Sequence, residues 1–353
     1  GGSAPYTYSW SPSGGTAATA SGLTAGAYTV TVTDNNGCTR TSSVTLTQPA
    51  ALTATMGAPT NVTCNGGNNG AVSVTVGGGS VPYSYNWSPA PGAGQGTAAI
   101  SSLTAGAYTV TVTDNNGCTR TASATITQPA VLTANITAST NILCNGATTG
   151  SATVTAGGGV APYTYSWSPS GGTAATASGL AAGAYTVTVT GVGGCTATAS
   201  VTLTQPAALT SSITASTNIS CNGGNNGSAT VTAGGGSAPY TYSWSPSGGT
   251  AATASGLTAG AYTVTVTDNN GCTRTSSVTL TQPAALTATM GAPTNVTCNG
   301  GNNGAVSVTV GGGSVPYSYN WSPAPGAGQG TAAISSLTAG AYTVTVTDNN
   351  GCT

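Results

Sequence analysis

No histidine, lysine, glutamate or phenylalanine occurs anywhere in the 353 residues, and the only charged side chains are Asp34, Asp114, Asp268, Asp348, Arg40, Arg120 and Arg274. Each absence removes a class of function. Three arginines cannot supply the basic footprint that a nucleic-acid partner requires. Serine and threonine are plentiful, but without His or Lys there is no base to activate them as nucleophiles. The triple-glycine runs, such as Gly77 to Gly79, lack the Lys and the following helix of a phosphate loop. No apolar run approaches the roughly 20 residues of a membrane helix, so membrane insertion of this segment is not expected. With so few titrating groups, folding is expected to depend little on pH between roughly 5 and 9.

What remains is a repeat. Trp10, Trp87, Trp167, Trp244 and Trp321 recur at a nearly constant interval, the step from Trp87 to Trp167 being slightly longer than the others, and residues 1 to 119 return unchanged as 235 to 353. Five repeats are therefore expected, at 1–49 (the C-terminal part only), 50–129, 130–206, 207–283 and 284–353 (lacking its last strand). Such an array gains stability repeat by repeat. Because the first and last repeats are incomplete, the chain is expected to be a stretch of a longer array. The two repeat lengths differ through one insertion in the segment Ser88-Pro-Ala-Pro-Gly-Ala-Gly-Gln-Gly96, which reads as a surface loop.

The most regular stretch is Ala105 to Cys118, which recurs at Ala25, Ala259 and Ala339 and in altered form at Ala182. Tyr108, Val110 and Val112 alternate with threonines, the period of a strand with one buried and one wetted face. Asn115-Asn116-Gly117 then suits a tight hairpin. Pro82 to Trp87 alternates aromatic with small polar residues as a second strand, Val72, Val74 and Val76 mark a third, and Leu52 to Met56 reads as an edge strand. Gln128-Pro129 and its counterparts end each repeat, since proline cannot donate to a ladder. About seven short antiparallel strands per repeat and no helical period predict an all-β fold, a tandem array of immunoglobulin-like β-sandwich domains. A core tryptophan and a tyrosine corner at Leu103 to Tyr108 fit that class.

Nine cysteines in small repeats point to an oxidising, extracytoplasmic setting. Two pairings suit their spacing. Within repeats, Cys64 joins Cys118, Cys144 joins Cys195, Cys221 joins Cys272 and Cys298 joins Cys352; across linkers, Cys38 joins Cys64 and so on. Parity does not decide, and the within-repeat set is the expectation because a bridge over a linker would fold two repeats back on each other. Zinc is not expected, as no paired CxxC and no His exist.

Asp34, Asp114 and Asp268 each precede an arginine by six residues, at Arg40, Arg120 and Arg274, and both are replaced together at Gly191 and Ala197. An exposed cross-strand ion pair worth at most about 1 kcal/mol is the expectation. One carboxylate per repeat is too few for a calcium loop and leaves no acid pair for glycoside hydrolysis, so neither metal nor other cofactor is expected. The fifteen tyrosines fall three to a repeat and are expected to pack rather than stack sugars. Asn61, Asn86, Asn135, Asn218, Asn226, Asn295 and Asn320 open Asn-x-Ser/Thr sequons and are candidate glycan sites that would help keep a nearly uncharged fibre soluble.

Taken together, Cys64-Asn65-Gly66, Pro82-Tyr83-Ser84-Tyr85-Asn86-Trp87, Leu103 through Tyr108, Val110, Val112, Asp114 and Gly117-Cys118 resemble the SprB repeat of bacterial cell-surface adhesins. The resemblance extends over all five repeats and departs from the family at Gly191. It implies export to the cell surface and a structural or adhesive array without catalysis, in an extended filament whose partners are neighbouring copies or a surface or glycan target. The alternative is a set of non-catalytic, glycan-binding accessory modules of a large secreted enzyme.

Overall fold

The computed structural model describes all 353 residues and contains strands, turns and loops but no helix. The first repeat supplies β1 (Thr7–Ser11), β2 (Gly26–Thr33) and β3 (Thr39–Leu46). The second supplies β4 (Thr53–Met56), β5 (Gly70–Gly77), β6 (Ser84–Ser88), β7 (Ala99–Leu103), β8 (Gly106–Thr113) and β9 (Thr119–Ile126). A complete repeat thus has six strands where about seven are expected from the sequence. Asn61 to Cys64, between β4 and β5, forms no strand: Thr60 makes one isolated bridge to Ala71, and Val62 N–H donates to Thr127 O at 3.0 Å.

The six strands form two antiparallel sheets, in the orders β4-β5-β7 and β6-β8-β9. Their apolar positions meet between the sheets. Val72 and Val74 from β5, and Ile100 and Leu103 from β7, pack in one cluster with Trp87 from β6, Val110 and Val112 from β8 and Ile126 from β9. The indole N–H of Trp87 donates to Thr97 O at 2.9 Å, so the largest core side chain buries no unpaired polar group. Tyr108 O–H donates to Thr104 O, four residues upstream, as a tyrosine corner does. On the wetted face the hydroxyls of Thr109 and Ser123 lie 2.8 Å apart, and the same pair recurs as Thr186 with Ser200 and Thr263 with Ser277. Hydroxyl pairs occupy the outer face where most proteins place charge.

By compactness the chain divides into two units. One holds residues 1–135, 156–165 and 188–198, and the other holds 136–155, 166–187 and 199–353. Within the second unit the fourth repeat has a core at the equivalent positions, built from Ile219, Val231, Trp244, Leu257, Tyr262, Val264, Val266 and Leu280, with Ala229 and Ala254 where the second repeat has Val72 and Ile100.

Identical sequences do not always take identical structure here. Thr253–Leu257 is a strand paired with Gly227–Gly234, whereas the same five residues at Thr19 to Leu23 form none. The first repeat has no counterpart of β5 for them to pair with. Likewise Gly340 to Tyr342 stay outside the strand Thr343–Thr347, although Gly260 to Tyr262 open an eight-residue strand backed by Thr273–Leu280. The partner decides, and propensity alone does not.

At β7 the register slips between Gly70 and Ala71, leaving Ser102 as the bulged residue at φ 57°. The third and fourth repeats place Gly179 and Gly256 there, each at φ 69°. A left-handed backbone costs a residue with a Cβ roughly 1–2 kcal/mol relative to its normal conformation, and glycine avoids that cost. Ser102→Gly combined with Ser336→Gly is therefore expected to stabilise the second and fifth repeats by up to about 1 kcal/mol each, the unfolded-state entropy of glycine offsetting part of the gain. Urea denaturation followed by tryptophan fluorescence measures this; a lower midpoint in the double variant would contradict the account of the bulge.

Candidate functional site

The residues singled out in the sequence gather at the two ends of each repeat. At the trailing end, the turn after β4 is closed by Gly67 N–H donating to Cys64 O at 2.9 Å, and Asn69 spans it by accepting from Thr63 N–H and donating to Thr63 Oγ1. The junction dipeptide holds this turn in place. Gly66 N–H donates to Gln128 Oε1 at 2.7 Å, Asn65 Nδ2 donates to Pro129 O at 3.0 Å, and Thr127 N–H donates to Asn61 Oδ1 at 2.8 Å. The same contacts recur at Gly146 with Gln205 and Asn145 with Pro206, and at Gly223 with Gln282 and Asn222 with Pro283. Gln-Pro is thus more than a stop. The glutamine at the end of a repeat locks that repeat's cysteine turn, a role signalled only by its fixed place before each proline.

At the leading end, the β8–β9 hairpin turns on Gly117 alone, at φ 82°, while Asp114 N–H donates to Cys118 O and Gly117 N–H to Asp114 O. The carboxylate of Asp114 is buried, with 5% of its surface exposed. Its Oδ1 accepts from Asn116 N–H at 2.9 Å and Cys118 N–H at 2.8 Å, and its Oδ2 accepts from Ser80 N–H at 3.0 Å. Asn116 Nδ2 also donates to Ser80 Oγ, so the hairpin tip is fastened to the β5–β6 loop. Asp268 and Asp348 repeat this geometry.

These contacts overturn the expected ion pairs. Asp34, Asp114 and Asp268 spend their lone pairs on backbone N–H groups, while Arg40, Arg120 and Arg274 stand exposed in the ladder opposite Val32, Val112 and Val266. A carboxylate already held by three donors has no need of a guanidinium. In the third repeat Gly191 keeps the turn with its backbone alone, donating to Cys195 O at 2.9 Å; nothing in the structure explains Ala197.

The disulfides also differ from the expected set. Cys64 is bonded to Cys195, Cys144 to Cys272 and Cys221 to Cys352, while Cys38, Cys118 and Cys298 are free and exposed. Neither Cys64 with Cys118 nor Cys38 with Cys64 forms, nor do Cys144–Cys195, Cys221–Cys272 and Cys298–Cys352. The reason is strand length. Cys64 lies beside Gln128 and Pro129, Cys118 lies at the other end of β9, and the eight residues of β9 at roughly 3.3 Å each hold them about 26 Å apart. A disulfide tolerates no more than about 7 Å between Cα atoms. The turn of one repeat therefore meets the hairpin tip of the next, at Cα separations of 5.6 to 5.7 Å.

Around each bridge the two ends fit closely. Asn270 Nδ2 donates to Leu143 O at 3.0 Å and Asn350 Nδ2 to Ser220 O at 2.9 Å. At the Cys64–Cys195 bridge Gly193 replaces the asparagine, and a Cβ there would stand 2.8 Å from Thr63 Cβ.

A cavity of about 480 Å³ opens in the fifth repeat beside Met290, Val306, Leu337 and Tyr342. Gly304 on its wall corresponds to Gly70, which Ile126 of β9 covers in the second repeat. The fifth repeat has no such strand, so the cavity is the seat of a core residue and not a ligand pocket. No helix is long and apolar enough to cross a membrane.

The class defined by these features is a tandem array of immunoglobulin-like antiparallel sandwiches, with disulfides linking the second repeat to the third, the third to the fourth and the fourth to the fifth. The SprB repeat family matches the chain four times, at residues 57–92, 136–173, 213–249 and 291–326, once in each of the second to fifth repeats. Each match includes the cysteine turn and the tryptophan strand, while the stretch from Leu103 to Cys118 lies outside it. No curated protein matches the chain. Among solved structures, immunoglobulin domains 1–5 of Sidekick-1 are 15% identical over 79% of this chain and 74% of that one, with a TM-score of 0.29. Three N-terminal domains of the bacteriophage RB49 outer capsid protein Hoc are 16% identical over 65% and 99%, with a TM-score of 0.33. A tetra-tandem repeat from the extending region of a large adhesion protein is 19% identical over 85% and 88%, with a TM-score of 0.25. The sandwich assignment rests on the strand order and the shared core described above. The chain is a structural repeat array.

Peptide mapping under non-reducing conditions is expected to recover Cys64 linked to Cys195, with three free thiols per chain; pairing within repeats would leave one. Acid provides a second test. Burial works against the charge on Asp114, but the N–H groups of Ser80, Cys118 and Asn116 outweigh it and hold the carboxyl below its ordinary value of 3.8. A lowered folded value means that the stabilisation is complete above 3.8 and is lost as pH falls through the lowered value. The melting temperature is expected to be flat at neutral pH and to fall below pH 3.8, and the fall is expected to shrink in Asp114→Asn/Asp268→Asn/Asp348→Asn.

Proposed function

We propose that the chain is the structural, adhesive part of an extended extracellular or cell-surface filament, without catalysis. The observation that carries this reading is the disulfide at three of the four repeat junctions, because such bonds form and persist in oxidising compartments and are rare in the cytosol. The folding units are taken to be the repeats at 50–129, 130–206 and 207–283, flanked by 1–49 and 284–353. Neighbouring copies, or a surface or glycan target, are the partners. The nearly uncharged Thr and Ser faces suit lateral association more than capture of a charged ligand.

Glycosylation belongs to the same reading. Asn61, Asn86, Asn135, Asn218, Asn226, Asn295 and Asn320 are all exposed. Asn61 and Asn218 use only Oδ1 in holding the chain, which leaves Nδ2 for a sugar, whereas Asn226 commits Nδ2 to Ser220 Oγ at 2.6 Å and is the poorest acceptor.

Immunogold labelling of intact producing cells tests the proposal. Gold on the exterior, along filaments, is the expected result; label that becomes accessible only after lysis would overturn it. An intact mass above the 33.4 kDa of the polypeptide would report the sugars.

A further inference from the structure

We infer that the staggered bridges make the array from Cys64 onward a nearly inextensible tether, in which tension passes through the disulfides and bypasses the tryptophan-centred cores of the second to fifth repeats. The inference goes beyond the surface-filament reading and does not depend on where the array is displayed.

The bonds Cys64–Cys195, Cys144–Cys272 and Cys221–Cys352 close loops of 131, 128 and 131 residues, each beginning inside the loop before it. A pull on the two ends of the chain follows the shortest covalent route. That route runs from Gly1 to Cys64, crosses to Cys195, continues to Cys221, crosses to Cys352 and ends at Thr353. It contains about 90 peptide units, which at roughly 3.4 Å each can reach about 310 Å. The whole backbone, once reduced, can reach about 1,200 Å by the same measure.

What lies off the route matters as much. Trp87, Trp167, Trp244 and Trp321, with β5 to β8 and their counterparts in the third to fifth repeats, all fall inside the bypassed loops 65–194 and 222–351. Between bridges, the route is the stretch from Cys195 to Cys221, which is the last strand of one repeat, its Gln-Pro junction and the first strand of the next. A second route, from Cys118 through Cys144 and Cys272 to Cys298, runs in parallel and is offset by one repeat. Because Cys118 and Cys298 are free, that second path reaches the pulled ends only through the bypassed loops, and the load stays on the route through Cys64–Cys195 and Cys221–Cys352. Bridges within repeats would not do this: they leave about 142 peptide units on the shortest route, or about 480 Å.

The test is single-molecule force extension of the chain held by handles fused at residues 1 and 353, with the free thiols of Cys38, Cys118 and Cys298 alkylated beforehand. Without reductant the extension is expected to stop at about 310 Å, and after dithiothreitol at about 1,200 Å. In Cys64→Ser/Cys195→Ser the shortest route crosses from Cys144 to Cys272, doubles back to Cys221 and crosses to Cys352. It then holds about 195 peptide units, so the oxidised limit is expected to rise to about 660 Å. An oxidised limit of about 480 Å in the native chain, or one unchanged by dithiothreitol, overturns the inference. If the double variant does not fold, the dithiothreitol comparison on the native chain still decides. A short oxidised limit in an array that immunogold places inside the cell would count against the surface reading alone.

Discussion

Everything in this chain depends on the central strand of the second sheet. β8 supplies Val110 and Val112 to the core at full burial, and it pairs with β6 on one side and β9 on the other. It begins at the tyrosine corner and ends at the Asp114 hairpin, whose counterparts in the next three repeats carry Cys195, Cys272 and Cys352, each bonded to the preceding repeat. A sandwich this small, with valine and alanine where larger domains place phenylalanine, buries little apolar surface. Its remaining order comes from backbone hydrogen bonds captured by side chains: Asp114 at one end, and Asn61, Asn65, Asn69 and Gln128 at the other.

That division explains which parts could be read from the sequence. The alternation around Tyr108, the aromatic strand ending in Trp87 and the glycine at the hairpin are local signals, and the structure places all three as their spacing implies. The cysteine pairing is not local. It requires knowing that Cys64 turns at the same end as Gln128 and that Cys118 turns at the opposite one, and no spacing rule contains that. The six-residue interval from Asp114 to Arg120 misled for a similar reason. It describes a separation along a hairpin, whereas the partner of the carboxylate, Ser80, comes from a loop 34 residues earlier.

The identical segments are the sharpest lesson about propensity. Thr19 to Leu23 and Thr253 to Leu257 share every side chain, yet only the second is a strand, because only it has a partner with free backbone groups beside it. In a chain so rich in threonine, glycine and serine, the side chains permit a strand and the neighbouring strand creates it. The incomplete repeats at 1–49 and 284–353 show how a strand depends on its partner.

The wide spacing of the bridged cysteines also bears on how the chain acquires its bonds. Synthesis proceeds from the N-terminus, so Cys64 is followed first by Cys118, and its true partner Cys195 emerges only after most of another repeat has been made. The wrong thiol always arrives first. Rapid folding of the sandwich removes that competitor, by setting the length of β9 between the two sulfurs before the right one exists. Each folded repeat thereby keeps its two thiols out of each other's reach, which leaves its turn cysteine for the hairpin tip of the next repeat.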